Sequence, residues 1–366
     1  MILKEIDIVD FKNIASANLK FSSGFNCFVG KNGSGKTNIL DAIYHLSMCK
    51  SYFPLIDNQI IRYNAPFYVL QSTYNRNNEE INIYCGYKRG AKKIFKKNDK
   101  VYSRLSEHIG LLPLVMISPS DFSLVDGSSE ERRRFLDSII SQINRDYLHH
   151  LIKYNKLITQ RNSLLKTNIG HAIDPYMLET LNEQLSISGD FIQNERDLFL
   201  QKFVIIFQHY YKQLSLDREQ VKLEYKPSIK SGGMLGALKE CLDRDKILTY
   251  TTVGIHRDEL SLKIDDYLIK KVGSQGQKKT YLVALKLAQY NLLSELSGVK
   301  PLLLLDDVFD KLDADRVGQI MSIVAGNNFG QIFITDTNRH NIVDLLHSMV
   351  QDFRLFIVDN GEIDIC

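Results

Sequence analysis

Apolar and polar residues alternate along positions 2–9 and again along 17–21, the two-residue period of half-buried strands. Residues 25–29 form a short apolar run, after which the spacing turns helical over 38–49, with Ile39, Leu40, Ile43 and Leu46 on one side. Residues 67–74 and 81–87, rich in Tyr, Ile and Val, predict paired strands. The period then changes. Ser128 followed three positions later by Glu131 fits a capping box. Leu136, Ile140, Ile143, Tyr147, Leu151 and Tyr154 carry one long helix to about residue 165. Asp174-Pro175 restarts a helix, with Asp as cap and Pro at the first helical position. From there Leu178, Leu181, Leu185, Ile192, Phe199, Phe203 and Tyr210 run close to a heptad seam, to about residue 211. Two antiparallel helices over about 128–211 follow, a coiled-coil-like arm on the order of 50 Å long at 1.5 Å per residue. Strand patterns return at 250–253, 260–264, 302–305, 332–335 and 355–358, with helices at 279–296 and 314–325. The fully apolar run at 302–305 suits a parallel sheet covered on both faces, so the fold class is α/β with a mixed sheet plus a second, helical lobe.

The chemistry enters where the first strand–helix switch occurs. Gly30, Lys31, Asn32, Gly33, Ser34, Gly35, Lys36 and Thr37 match the phosphate-binding P-loop, between an apolar strand and a helix. Glycines let backbone N–H groups point inward, and the following helix offers its positive end to phosphate. Lys36 supplies a point charge near the β- and γ-phosphates and Thr37 a Mg²⁺ ligand. The apolar strand at 302–305 ends in Asp306-Asp307. Asp306 is the expected second Mg²⁺ ligand, and Asp307 stands where a carboxylate orients the attacking water. A third segment, Ser274, Gln275, Gly276 and Gln277, opens a helix shortly before that strand. Its free N–H groups make a second phosphate-binding helix start, suited to the nucleotide of another subunit.

Charge and composition narrow the picture less. The chain has 366 residues and a net charge of +3, too small to argue for nucleic acid by itself. Locally, Lys88, Arg89, Lys92, Lys93, Lys96 and Lys97 crowd one segment: a lysine-guarded sheet edge or a DNA-backbone surface. Arg132, Arg133 and Arg134 at the arm's first turn are a second such cluster. Five cysteines with no C-x-x-C pair argue against a disulfide framework or a zinc site. The N-terminus reads as a strand rather than a leader, and no apolar run approaches a bilayer span, so a cytoplasmic location is expected.

P-loop, Ser274 segment and Asp306 strand together resemble the ABC-type ATPase superfamily. The helical arm between them narrows the resemblance to the SMC-like group. Within it, Asp10 to Ile14, Ser118-Pro119-Ser120-Asp121, Gly127, Arg133 to Asp137 and His256 to Leu260 resemble the RecF family of bacterial recombination and gap-repair proteins. That resemblance implies an ATPase lobe in two parts, 1–114 and 281–366, and a second lobe over 115–280 carrying the arm and the Ser274 signature. It implies ATP and Mg²⁺ as cofactors and an ATP-induced head-to-tail homodimer. Asp310, Leu312 and Asp313 would lie in the loop crossing that interface, and Lys12 near adenine or ribose. It further implies duplex DNA or duplex/single-strand junctions as ligand, and RecR and RecO as partners in loading RecA onto gaps coated by single-strand-binding protein. Hydrolysis is expected to be weak, because Asp307 replaces the Glu usual after the metal-binding Asp, and the resemblance implies that DNA stimulates it. The histidine expected after the next strand is also absent at Thr335-Asp336-Thr337, leaving Thr335 or Thr337 to face the γ-phosphate, while His340 lies too far along to be its equivalent. Two other readings stand: a transporter ATPase, against which the arm argues, and a nuclease-associated or other SMC-like ATPase. The nuclease reading needs an acid-rich domain for which the chain is not expected to have room.

Overall fold

A computed structural model describes residues 1–169, 173–229, 232–308, 314–326, 329–337 and 352–365. The chain divides into two compact units, Met1–Asp121 with Gln289–Cys366, and Phe122–Ala288.

The first unit opens with a hairpin of β1 (Ile2–Phe11) and β2 (Ile14–Lys20), then β3 (Phe25–Val29) and the helix α1 (Lys36–Met48). After a single turn, α2 (Asp57–Ile60), come β4 (Phe67–Arg76) and β5 (Glu79–Lys88), joined through Asn77 and Asn78 at positive φ. Asparagine tolerates that backbone better than most residues, which lets the turn be this tight. The edge strands β6 (Ile94–Lys97) and β7 (Lys100–Val101) precede β8 (Leu114–Ile117).

In the second unit α3 (Phe122–Asp126) leads into α4 (Ser129–Ile143), α5 (Arg145–Thr167) and α6 (Pro175–Ser215). Then follow β9 (Val221–Lys226), α7 (Gly233–Glu240), α8 (Leu242–Leu248), β10 (Glu259–Ile264), β11 (Tyr267–Leu268) and α9 (Ile269–Val272). Along α10 (Gln275–Ser297) the chain returns to the first unit, which it completes with β12 (Leu302–Asp306), α11 (Ala314–Ala325), β13 (Ile332–Asp336), β14 (Phe353–Asp359) and β15 (Glu362–Ile365).

Among the described residues the first unit holds two sheets, ordered β2-β1-β4-β5-β6-β7 and β15-β14-β3-β13-β12-β8. In the second, β3, β12 and β13 are buried along their lengths apart from the partly covered Asp336, as their apolar sequences require. β13 separates β3 from β12 and pairs parallel with both, setting the ends of β3 and β12 side by side. Buried Gln331 ties the sheets together, accepting from Leu3 N at 2.7 Å and donating to Leu3 O and Ser22 O at 2.8 and 2.7 Å. Phe21 packs edge-on against Phe28, Phe333 and Phe356 across the same seam.

Three expectations need correcting. The first arm helix is broken at Asn144, whose backbone is extended (φ −128°, ψ 106°). Its amide closes α4 on Ile140 O at 2.8 Å, and its side chain caps α5 by accepting from Tyr147 N at 2.9 Å. Ser128 does stand at the N-cap of α4, but no side-chain cap forms. Glu131 contacts Arg134 instead, three residues along its own helix. Residues 250–253 are not a strand: Thr251 N and Oγ1 both bond Asn162 Oδ1 of α5, at 2.7 and 2.8 Å. The antiparallel pairing of α5 with α6 stands, joined by Asn144–Glu195, His150–Ser188 and Arg161–Asn182 contacts. No described helix is long and apolar enough to cross a membrane.

Candidate nucleotide site

The P-loop leaves β3 and curls back on itself before α1. Gly33 and Gly35 take φ of 79° and 117°, which side chains rarely adopt. A Cβ on Gly35 would lie 2.8 Å from the Asn13 amide. Asn13, in the turn between β1 and β2, donates to Ser34 O at 3.0 Å and accepts from Asn38 at 2.7 Å. Gly361 N, in the turn between β14 and β15, also donates to Ser34 O, at 2.8 Å. The loop is therefore pinned from two sides. Lys36 Nζ sits over it, donating to Gly30 O at 2.8 Å and Lys31 O at 3.0 Å. The N-cap residue Gly35 supplies no side-chain cap, the first turn of α1 holds no acid, and Ser34 Oγ is buried without a partner in the protein. These features fit an anion at the positive end of α1.

Asp306, at the end of β12, reaches the same place. Its Oδ1 accepts from Thr37 Oγ1 at 2.8 Å and Thr335 Oγ1 at 2.9 Å, and its Oδ2 from Ser118 Oγ at 3.3 Å. The carboxyl is 3% exposed, and burial holds its pKa above the usual range; its hydroxyl donors oppose that rise and neighbouring Asp307 adds to it. Asp307 turns into the left-handed region at φ 45°, with its N–H on Thr335 Oγ1 at 2.9 Å. Among the described residues no group of three or more His, Cys, Asp or Glu side chains gathers to cage a metal. One deep carboxylate beside one hydroxyl suits Mg²⁺, which keeps several waters and takes phosphate oxygens for the rest. A divalent cation there would also offset the desolvated charge of Asp306.

The Ser274 segment lies in the second unit and opens α10, as expected, with a capping box. Gln277 N donates to Ser274 Oγ at 3.2 Å, and Ser274 N to Gln277 Oε1 at 2.7 Å. Gln277 also donates to Glu219 at 2.8 Å, so its side chain faces the protein, while Ser274 and Gln275 are exposed. Asp310, Leu312, Asp313 and His340 lie outside the described residues.

Other expected site residues sit differently. The Lys12 ammonium is paired at 2.8 Å with Asp41 of α1, which has no exposure, and lies 4.7 Å over the Phe53 ring. Lys12 also lines a cleft of about 730 Å³ with Asn13, Gln59, Tyr63 and Arg89. Lys93 pairs with Asp57 at 2.8 Å and donates to Cys49 O at 2.9 Å, which removes it from a DNA surface. Lys88, Arg89 and Lys92 are exposed, and Lys96 and Lys97 half-buried, with Lys96 over the Tyr84 ring. Arg132 is buried on Glu259 at 2.8 Å, and Arg133 donates to Asp258 O at 2.6 Å, so both hold the second unit together. Exposed Arg134 pairs with Glu130 and Glu131. Thr335 is spent on Asp306, while Thr337 is exposed. Asn13 and Ser118 were visible only as parts of a resemblance and Gly361 not at all, because no local pattern marks a residue that acts across more than twenty positions.

The model of the RecF/RecN/SMC N terminal domain matches residues 2–363. The chain is 50% identical over 365 residues to the DNA replication and repair protein RecF of Bacteroides fragilis (strain YCH46), covering 100% of this chain and 98% of that protein. It is 44% identical over 357 residues to the protein of the same description from Flavobacterium johnsoniae, covering 97% and 99%. The recombination mediator protein RecF of the RecFOR pathway, solved as RecF-ATP, superimposes with a TM-score of 0.90 at 30% identity, covering 100% of this chain and 97% of that one. An Smc head bound to the C-winged helix domain of ScpA gives 0.59 at 16% identity over 100% and 97%, a likeness of fold. The chain belongs to the RecF family, and its fold is the ABC-type ATPase head with a short helical arm.

Proposed function

We propose that this member of the RecF family binds ATP with Mg²⁺ at its P-loop and that ATP joins two copies head to tail, as a slowly hydrolysing clamp on duplex or gapped DNA. The observation that carries the reading is the Thr37–Asp306 contact of 2.8 Å at the P-loop end of β12, which brings two residues far apart in sequence to one metal-sized place. A relative solved as RecF-ATP, alike over 97% of its chain, supports the nucleotide assignment. Gly30 to Gly35 wrap the phosphates with backbone N–H groups, and Lys36 leaves its loop carbonyls for the β- and γ-phosphate oxygens. Thr37 and Asp306 hold Mg²⁺, which when bound neutralises charge on those oxygens. Asp307 orients the attacking water, but with a short side chain on a strained backbone, consistent with slow turnover. The exposed Ser274 and Gln275 of one copy meet the γ-phosphate held by the other, with Asp310, Leu312 and Asp313 along the seam. ATP thus binds the closed state better than the open one, and hydrolysis releases it.

Lys88, Arg89, Lys92, Lys96 and Lys97 supply the electrostatic contact with the DNA backbone. The RecFOR pathway named for the solved relative supports RecR and RecO as partners in that work. Titration with a fluorescent ATP analogue tests the foundation. Lys36→Ala should lower affinity at least tenfold, and Ser274→Arg should leave it within about twofold. Equal affinity for Lys36→Ala and the parent would remove the nucleotide from this loop.

A further inference from the structure

An unbroken series of polar contacts runs within the first unit from the wall of the 730 Å³ cleft to the carboxylate of Asp306. Lys12 Nζ lies 2.8 Å from Asp41 Oδ2, which also accepts from Ser51 Oγ at 2.8 Å. The other oxygen of Asp41 accepts from Tyr52 N at 2.7 Å. The Tyr52 phenol donates to Asp121 Oδ1, and Asp121 Oδ2 accepts from Ser118 N at 2.8 Å. Ser118 Oγ then reaches Asp306 Oδ2 at 3.3 Å. Asp41 and Asp306 are almost wholly buried, so the bonds to these two carboxylates work in a low-dielectric setting where an unmade bond is costly.

The Tyr52 ring is fixed on two sides, edge-on to Tyr44 at 4.8 Å and to Phe53 at 5.6 Å. Burial and the carboxylate of Asp121 hold its phenol far above the ordinary range, so it stays protonated and able to donate. Lys12 is also fixed: its backbone sits at φ 54° with its N–H on Ile60 O at 2.7 Å, and its ammonium lies over Phe53. A shift of the cleft wall therefore has few ways to dissipate before it reaches Asp41. Asp121 is moreover the last residue before the chain leaves the first unit.

We infer that Lys12, Asp41, Tyr52, Asp121 and Ser118 form a positioning relay, through which the cleft wall sets the orientation of the Asp306 carboxylate towards Thr37 and hence the metal affinity of the site. None of the five is a catalytic residue; each acts through the next. The inference rests on the reading that ATP and Mg²⁺ occupy this P-loop. Contact through space does not establish coupling, so the test is a cycle of paired substitutions.

Tyr52→Phe keeps the ring and removes one hydroxyl. Lys12→Met combined with Asp41→Asn breaks the far end without leaving a buried charge unpaired. The readouts are ATP affinity without Mg²⁺ and the Mg²⁺ concentration giving half-maximal ATP turnover. Tyr52→Phe should leave the first within about twofold and raise the second at least fivefold. The Lys12/Asp41 replacement should raise it comparably, and all three changes together should do no more than the larger of the two. An unchanged Mg²⁺ requirement in Tyr52→Phe, or effects that multiply, would overturn the relay. Ser118→Ala, which removes a single hydroxyl at the near end, carries the same expectation and replaces Tyr52→Phe if that variant does not fold. Failure of the parent protein to bind ATP at all would instead strike at the underlying reading.

Discussion

Asp306 carries a cost for its burial. Its carboxyl is buried, its pKa is raised mainly by that burial, and Asp307 adds to the effect. Because the folded value exceeds the ordinary 3.8, the folded protein holds this proton more tightly than the unfolded chain does. The destabilisation is absent below that ordinary value and grows as pH rises from it through the raised one. Asp306→Asn should then stabilise the nucleotide-free protein, seen as a higher melting temperature at pH 7. The gain should shrink at pH 4, and turnover should be lost. A lower melting temperature at pH 7 would mean that the hydroxyl contacts outweigh the charge. At this scale much is readable from sequence. P-loop and β12 acids are local patterns, because glycines at set spacing and an apolar run ending in acid express local geometry. The pairing of Lys12 with Asp41, and of Lys93 with Asp57, is not, since a charged residue does not reveal its partner from sequence alone.

The arm shows the same division one level up. Its antiparallel pairing follows from helical periodicity and from the restart at Asp174-Pro175, where Asp174 accepts from Tyr176 N at 3.0 Å. The break at Asn144 is hidden because the apolar residues on either side keep nearly the same spacing. Asn144→Ala removes both the cap of α5 and the hydrogen bond to Glu195, and should cost about 1–2 kcal/mol in chemical denaturation. Deeper in the second unit, Arg196 is 1% exposed and binds Asp137 and Asp258, each at 2.8 Å, with Ile255 O at 2.9 Å. Asp258 also receives Tyr225 OH and Ser228 N. Within the segment His256 to Leu260, part of the family likeness in the sequence, Asp258 is thus the buried centre of a structural network, while Arg257 is exposed. Arg196→Met strands Asp258 and should destabilise by about 3–5 kcal/mol, whereas a loss below about 1 kcal/mol would show that the network relaxes around the change.

For the whole molecule, the net charge of +3 is too small to carry the proposed DNA contact by itself, so the test is local. Replacing Lys88, Arg89 and Lys92 together by alanine should weaken binding to all duplexes alike. It should also flatten the dependence of log affinity on log salt by about 0.9 for each phosphate that is no longer neutralised. Lys93→Ala should lower stability and leave that slope unchanged. An unaltered slope in the triple variant would move the DNA surface elsewhere.

Joining of two copies by ATP is the central claim, and mass measurement in solution addresses it most directly. Light scattering on the parent and on Ser274→Arg, each with ATP and Mg²⁺, with ADP and without nucleotide, should find a dimer only for the parent with ATP. A Ser274→Arg protein that still dimerises with ATP, or a parent that stays monomeric at ATP concentrations that saturate the P-loop, would contradict it.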